Sequence, residues 1–326
     1  MNYIAYTILA AVALIGFSCQ KNQKNDDIIS QTYVHKYGYA VSQEEWQEKN
    51  YPGQVISSLR NGITVTATYE NGKLHGPCTF TYPNSHTVEK YVLYNQDTPV
   101  KEISYDISGM PIQETTQLTE NRHCLTTWYT DGVPKSVEEY VKEELVQGQY
   151  FTTNHELEAQ VIHGNGLRIV RDAQGTLLCK DEITGGFLAK RESFYASGSP
   201  ESISLYVQGK LDGTKKTFSS AGEPLSLENW SNGSLHGLCT YYKNGTKELE
   251  IDYLYGKKNG LEIHFLDGET IAHQISWIMD LKHGPETFFL PGGSTKTVWN
   301  YDNKEVSLNR FQELTNLDAL LSDSPS

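Results

Sequence analysis

The sequence predicts an all-β fold: an elongated meander of β-hairpins that forms one long twisted antiparallel sheet, with short helical caps at its ends. An aromatic or large apolar residue returns every 20 to 25 residues, mostly every 23 or 24. Glycines recur at fixed distances after it, and Asn-Gly or Asp-Gly steps lie between strand-forming residues. A length of 326 residues would by itself suggest two domains. A repeat of fixed period instead predicts an array of structural units, and this evidence is stronger than the length.

Residues 1–18 are predicted to be an export signal. The stretch from Ile4 to Phe17 is almost wholly apolar. It has the length of a signal-peptide core and is too short to span a bilayer comfortably.

The next residues resemble the lipobox of bacterial lipoproteins. The small residues Gly16 and Ser18 occupy the third and first places before Cys19. The resemblance implies that Cys19 becomes the lipidated first residue, and that Gln20 in place of Asp directs the protein to the outer membrane. Ordinary secretory cleavage after Ser18 remains the alternative.

A polar tether and a first strand come next. Residues 19–31 carry a polar run that cannot bury itself, which predicts a lipid-anchored tether. From Thr32 onward, alternate residues are Tyr, His and Val, the period-two pattern of a strand. Ser42 and Glu45 form a capping-box pattern, so residues 32–45 are predicted to be a strand and a short helical turn that covers the first edge of the sheet.

Residues 46–308 are predicted to be the repeat array. The residues that open each repeat, called start residues, are Trp46, Tyr69, Tyr94, Leu118, Tyr140, a degenerate position near Gln160, Ile183, Tyr206, Trp230, Tyr253, Trp277 and Tyr301. Glycines three and seven places after a start residue are interpreted as structural turn residues. The first set includes Gly72, Gly209, Gly233 and Gly256, and the second includes Gly76, Gly213, Gly237, Gly260 and Gly284.

Residues 309–326 are predicted to be a helical cap and a tail. Large apolar residues stand at helical spacing at Leu308, Phe311, Leu314, Leu317 and Leu321. Terminal repeats must hide their open edge, so the helix is expected to fold back as a cap. A helix that docks a partner is the alternative.

Three segments carry the pattern aromatic-x-x-Gly-x-x-x-Gly: 69–76, 230–237 and 253–260. The pattern resembles the MORN repeat, and more closely its bacterial variant in proteins labelled the YwqK family of antitoxins. The resemblance implies an interaction surface, and the family label implies neutralisation of a toxin. The middle repeats, residues 94–190, lose several glycines, which predicts a less regular sheet there.

His75, His236 and His283 share one place in the repeat, six residues after a start residue. They are interpreted as part of the repeat consensus and not as metal ligands. Neighbouring hairpins lie about 10 Å apart, whereas zinc ligands must lie about 2.0 Å from one ion. We therefore predict no metal site.

No disulfide is predicted among Cys78, Cys124, Cys179 and Cys239. Cys78 and Cys239 are seven repeats apart, on the order of 70 Å in a straight array, and a disulfide needs Cα atoms within about 7 Å. The expected states are buried free thiols or intermolecular crosslinks.

Composition and motifs favour binding over catalysis. A net charge of −13 disfavours nucleic acid as a partner. No Gly-x-Ser-x-Gly, His-Glu-x-x-His or P-loop motif occurs, so no enzyme activity and no cofactor are predicted. The predicted protein is an envelope lipoprotein, held at the outer membrane by its lipid, that acts as a scaffold for a protein or glycan partner. An antitoxin and a hydrolase with a site hidden in residues 94–190 are the alternatives.

Overall fold

The computed structural model describes residues 27–322, with side chains through residue 318. These residues form 26 β-strands and two helices, which confirms the predicted all-β class and antiparallel hairpin meander. The chain divides into two compact parts, Met1–Met110 and Pro111–Ser326, called here the first and the second part. Neither described helix combines the length and the apolar character needed to cross a bilayer.

The described residues of the first part form seven strands and one helix. They are β1 (Ile28–His35), β2 (Ala40–Val41), α1 (Gln43–Lys49), β3 (Gly53–Leu59), β4 (Thr64–Glu70), β5 (Lys73–Thr81), β6 (Val88–Asn95) and β7 (Thr98–Tyr105). β1 pairs with β2 and β3, and from β3 to β7 each strand pairs with the next, all antiparallel.

The amino-terminal elements differ from the prediction. β1 begins at Ile28, inside the predicted tether 19–31, because Ile28 and the residues after it pair with β3. The single predicted strand is two strands joined by a turn, in which the His35 amide donates to the Tyr39 carbonyl at 2.9 Å. Gly38, with φ +86°, provides the chain reversal.

Helix α1 begins at the predicted cap. The Ser42 side chain accepts from the Glu45 amide at 3.2 Å. Trp46 is buried, with ring centroids 5.6 Å from Tyr33 and 6.1 Å from Tyr69. Since Tyr33 and Tyr69 belong to different strands, α1 packs on a face of the sheet and not only along its edge.

In the described residues of the second part there are nineteen strands and one helix. They are β8 (Pro111–Thr119), β9 (Arg122–Trp128), β10 (Pro134–Val141), β11 (Glu144–Phe151), β12 (Leu157–Ile162), β13 (Asn165–Arg171), β14 (Leu177–Thr184), β15 (Phe187–Phe194), β16 (Pro200–Val207), β17 (Lys210–Phe218), β18 (Pro224–Ser231), β19 (Ser234–Leu235), β20 (Gly237–Lys243), β21 (Thr246–Leu254), β22 (Lys257–Phe265), β23 (Ile271–Ile278), β24 (Leu281–Phe289), β25 (Thr295–Tyr301), β26 (Lys304–Val306) and α2 (Leu308–Ser322). From β8 to β18 and from β20 to β26 each strand pairs antiparallel with the next, and β18 pairs with both β19 and β20.

The first glycine set lies in tight two-residue turns, as predicted. Asn232 and Gly233 have φ +50° and +81°, the left-handed pair that a type I′ hairpin turn requires. Gly72, Gly209 and Gly256 also have positive φ at the second turn position.

The second glycine set is not in turns, which corrects that interpretation. Gly76, Gly213, Gly237, Gly260 and Gly284 lie within strands, and four of them stand where the register shifts at a bulge: Gly76, Gly213, Gly260 and Gly284. Gly260 shows why glycine is needed. Its φ is +117°, and a Cβ there would stand 2.8 Å from the Cβ of Asp252.

The tight turns form a ladder along one edge of the sheet. In each turn of the ladder, the second residue donates its amide to the carbonyl of the preceding repeat: Gly233 to Leu211 at 2.8 Å, Gly256 to Leu235 at 2.8 Å, Asp280 to Lys258 at 2.9 Å and Asn303 to Lys282 at 3.0 Å. The turn of each repeat is therefore held by the repeat before it.

The sheet folds over itself between β10 and β15. β12 and β13 pair only near their shared turn, at Val161 with Gly166 and Ile162 with Asn165. The Leu145 amide donates to the Gly186 carbonyl at 3.0 Å, which joins β11 to the β14–β15 turn. The fold encloses a buried cluster consisting of Leu145, Tyr150, Val161, Ile169 and Ile183. It lies in the stretch where the repeat glycines are missing.

Helix α2 packs on the end of the second part, as the predicted cap does. The Phe311 ring centroid lies 5.0 Å from that of Trp299 and 5.4 Å from that of His283. Leu308 and Leu317 are exposed, so only part of the predicted apolar stripe is covered.

Candidate binding surface

One face of the second part carries a row of residues that stand opposite one another across successive strands. We call it the central row: Arg168, Asp181, Arg191, Ser204, Lys215, Glu228, Cys239, Ile251, Glu262, Ile275, Glu286 and Val298. Glu228 and Cys239 stand one step beyond the Leu227–Thr240 pair of the same two strands. Opposite charges directly across a strand pair stabilise a sheet. Apart from Ser204, the amino-terminal half of the row is charged, and its carboxyl-terminal half consists of apolar residues and acids.

The charged half is anchored by a buried ion network. Asp181 is 0 % exposed and Glu138 2 % exposed. Arg191 makes a bidentate contact with Asp181 at 2.7 and 2.8 Å. Arg168 Nε lies 2.7 Å from Glu138 Oε1, and its Nη1 lies 3.5 Å from Asp181 Oδ2. Two guanidinium groups therefore match two carboxylates, as buried charges require.

The environment of Glu138 keeps its carboxylate ionised. Burial raises the pKa of Glu138, but the charge and hydrogen bonds of Arg168 and the hydroxyls of Tyr140 and Tyr150 lower it further, so that the pKa lies below its ordinary value. The two hydroxyls donate at 2.7 and 3.0 Å. No histidine, serine or cysteine joins the hydrogen bonds of this network in the described chain.

Three large rings stand beside the carboxyl-terminal half of the central row. The Cα partners are Gly213 for Trp230, Gly237 for Tyr253 and Gly260 for Trp277. The glycines have no side chain to stand beside the rings. Each ring residue follows a central-row residue by two positions and therefore lies on the same face. We call Trp230, Tyr253 and Trp277 the aromatic row; all three are half-buried.

Lysine and glutamate pairs separate the rings. Lys258 Nζ lies 2.5 Å from Glu262 Oε2 and 4.7 Å from the ring centroid of Trp277. One repeat later, Lys282 Nζ lies 2.9 Å from Glu286 Oε1. Lys258 and Lys282 stand at the same place after their start residues, so alignment of the repeats could have found them.

Two stacked histidines extend this face. His264 Nε2 lies 2.8 Å from Glu262 Oε1, and His273 Nε2 lies 3.0 Å from Glu286 Oε1. The two imidazole centroids are 5.3 Å apart, and the Phe288 ring stacks 4.2 Å beyond His273. The surface thus combines rings with hydrogen-bonding groups of both charges.

Comparison with known proteins identifies the repeat. The model of the MORN repeat matches residues 67–87 and 229–247. The chain contains MORN repeats. Both matches include the tight turn and the strand glycine of their repeat.

Other comparisons add no relative. No curated protein matches the chain. A solved chain, in the crystal structure of a mutant of S. aureus TarM in complex with fondaparinux, alpha-GlcNAc-glycerol and UDP, is 9 % identical. The match covers 35 % of this chain and 21 % of that chain with a TM-score of 0.19, so it carries no argument about fold or activity.

The three predicted consensus histidines each contact the next tight turn of the repeat array. His75 Nδ1 lies 3.5 Å from Gln96 Nε2, His283 Nδ1 lies 3.0 Å from Asp302 Oδ1, and the His236 ring centroid is 5.1 Å from that of Tyr255. Within residues 27–318, no three His, Cys, Asp or Glu side chains gather as a metal site.

The four described cysteines are spread along the repeat array. Cys78 and Cys239 are fully buried and Cys124 and Cys179 are half-buried, and no disulfide joins these four described cysteines. Cys19, the predicted lipidation site, lies outside the described residues.

Proposed function

We propose that this protein is a non-catalytic binding and scaffold protein of the bacterial envelope, whose aromatic-row face binds a protein or glycan partner. The observation that carries the proposal is the recurrence of a large ring on one face in three successive repeats. MORN repeats suggest such a role. Trp and Tyr supply large contact areas and lose little side-chain freedom on binding.

The proposed location rests on the sequence. The apolar leader and the small residues before Cys19 support lipidation of that cysteine and attachment to the outer membrane. A lipid anchor and a polar tether would hold the binding face close to the membrane while leaving it free to reach a partner.

One experiment tests both statements. Cells grown with labelled palmitate express the full chain with photoreactive benzoylphenylalanine at Tyr253, and the matched control carries it at Tyr255, an exposed ring of the same repeat on the turn edge. We expect palmitate label and membrane fractionation that Cys19→Ala abolishes, and one discrete crosslinked species from position 253.

Persistence of label in Cys19→Ala would refute the anchor. Binding through this face is refuted if position 253 gives no crosslink, or gives the same products as position 255.

A further inference from the structure

We propose that the ligand of the aromatic row is a linear β-1,4-linked polysaccharide, lying across the strands with one disaccharide over each hairpin. This inference rests on the proposed function and names the chemical class of its partner.

The spacing of the rings carries the proposal. Trp230, Tyr253 and Trp277 lie on β18, β21 and β23, and each ring is two strands from the next. Two strand spacings amount to about 9.6 Å, which is close to the length of one disaccharide in an extended β-1,4-linked chain. Each ring would therefore meet the same face of every second sugar.

An extended peptide does not fit this period. Side chains on one face of a strand recur about every 6.8 Å, so a peptide laid across the sheet falls out of step with the rings after one repeat. The aromatic row therefore favours a sugar polymer over an extended protein segment.

The charges of the face favour an uncharged sugar chain. Three lysine–glutamate ion pairs lie along these hairpins, so the charges of these six residues balance: Lys215 with Glu228, Lys258 with Glu262, and Lys282 with Glu286. The three lysines and Glu228 are half-buried and provide donors and an acceptor for sugar hydroxyls. A polyanion would meet the glutamates, and a polycation the lysines.

Two of the rings are covered by lysines in the free protein. Lys258 Nζ lies 4.7 Å from the Trp277 centroid and Lys215 Nζ lies 5.9 Å from the Trp230 centroid. A sugar ring would take the place of the ammonium group, which then stands beside the sugar as a hydrogen-bond donor. Binding therefore exchanges a cation–π contact for a stacked sugar.

Calorimetry with a hexasaccharide of β-1,4-linked N-acetylglucosamine tests the proposal on the full chain. The hexasaccharide spans three hairpins, so it should bind at least about tenfold more tightly than the disaccharide. Trp230→Ala and Trp277→Ala should each weaken binding about tenfold, and Trp277→Phe should weaken it less. Tyr255→Ala, the matched control off the row, should leave the affinity unchanged.

The inference fails if the hexasaccharide does not bind, if it binds no better than the disaccharide, or if Tyr255→Ala weakens it as much as Trp277→Ala. Circular dichroism and the unfolding midpoint identify any variant whose loss is a folding defect, and Trp277→Phe then carries the test. A crosslinked protein at position 253 without saccharide binding would overturn this inference and leave the proposed function standing.

Discussion

The first part and the amino-terminal half of the central row, which lies in the second part, fill the same position of the repeat with opposite chemistry. In the first part, Val55, Ala67, Cys78 and Val92 are successive cross-strand partners and all are buried. In the second part, Asp181 stands where Ala67 and Val92 stand, two residues before a start residue, and pairs with arginine on both sides.

The difference shows which residues define the repeat. Turn glycines, strand glycines and start residues set the backbone, and the row between them accepts either apolar or ionic packing. An apolar row is stabilised by the area it removes from water. An ionic row needs every charge matched, and the fold-over between β10 and β15 supplies the last partner, Glu138, to Arg168.

Breaking the ionic row should have the largest effect. Asp181→Ala removes the bidentate carboxylate partner of Arg191 and the weaker of the two carboxylate contacts of Arg168. We expect the free energy of unfolding of the second part to fall by about 3–5 kcal/mol. Urea denaturation followed by hydrogen exchange on β14 peptides measures it. Lys243→Ala, which removes an exposed ion pair with Glu248, is the control and should cost nothing measurable. Equal effects would show that the network is not stabilising.

Truncating a buried leucine that packs beside Cys78 and Val92 should lower the free energy of unfolding by somewhat less. Leu74 is 4 % exposed and packs in the cluster that contains Cys78 and Val92. Leu74→Ala should lower stability by about 3 kcal/mol through lost burial and a cavity, measured on β5 peptides in the same assay. Leu205→Ala, at a leucine that is 37 % exposed, should cost clearly less. A similar loss at both positions would contradict the apolar description of this region.

Acidification should distinguish the ionic region around Glu138 from the apolar region around Leu74, and it should have the smallest effect on stability of the three tests. Because the folded pKa of Glu138 lies below the ordinary 4.5, its carboxylate contributes stability that is fully present above the unfolded value and is lost as pH falls through the folded value. The stability difference between wild type and Glu138→Gln should therefore shrink on acidification, whereas the Leu74→Ala difference should not. Denaturant titrations at pH values from above the unfolded pKa to below the folded pKa of Glu138 measure both stability differences. If the difference between wild type and Glu138→Gln stays constant, the proposed link between the Glu138 pKa and stability is wrong.

Local sequence signals predicted the hairpins well. Asn232-Gly233 and Ser42 with Glu45 indicated a turn and a helix start because the residues that decide these structures are neighbours in the chain. Strand glycines such as Gly260 were assigned to turns because a bulge and a turn both call for glycine at positive φ.

Long-range features were not predictable from local patterns. The contact of Glu138 with Arg168 joins residues thirty positions apart in sequence. The repeat pattern does not indicate that the sheet folds over between β10 and β15. The sequence shows that the aromatic residues recur at a regular spacing. That Trp230, Tyr253 and Trp277 share one face of the sheet follows only from their strand register with the glycines opposite them.

The hydrogen bonds that link successive tight turns determine which insertions and deletions the repeat array can accept. The residue six places after a start residue reaches the first residue of the next turn: Asp212 accepts from the Asn232 amide at 2.9 Å, and Asn259 from the Met279 amide at 3.3 Å. These junctions use the same two positions, and stability in such an array is shared between nearest neighbours. Among repeats that share these positions, we expect excision or duplication of a whole repeat to leave the flanking junctions able to re-form, and a partial excision to prevent it.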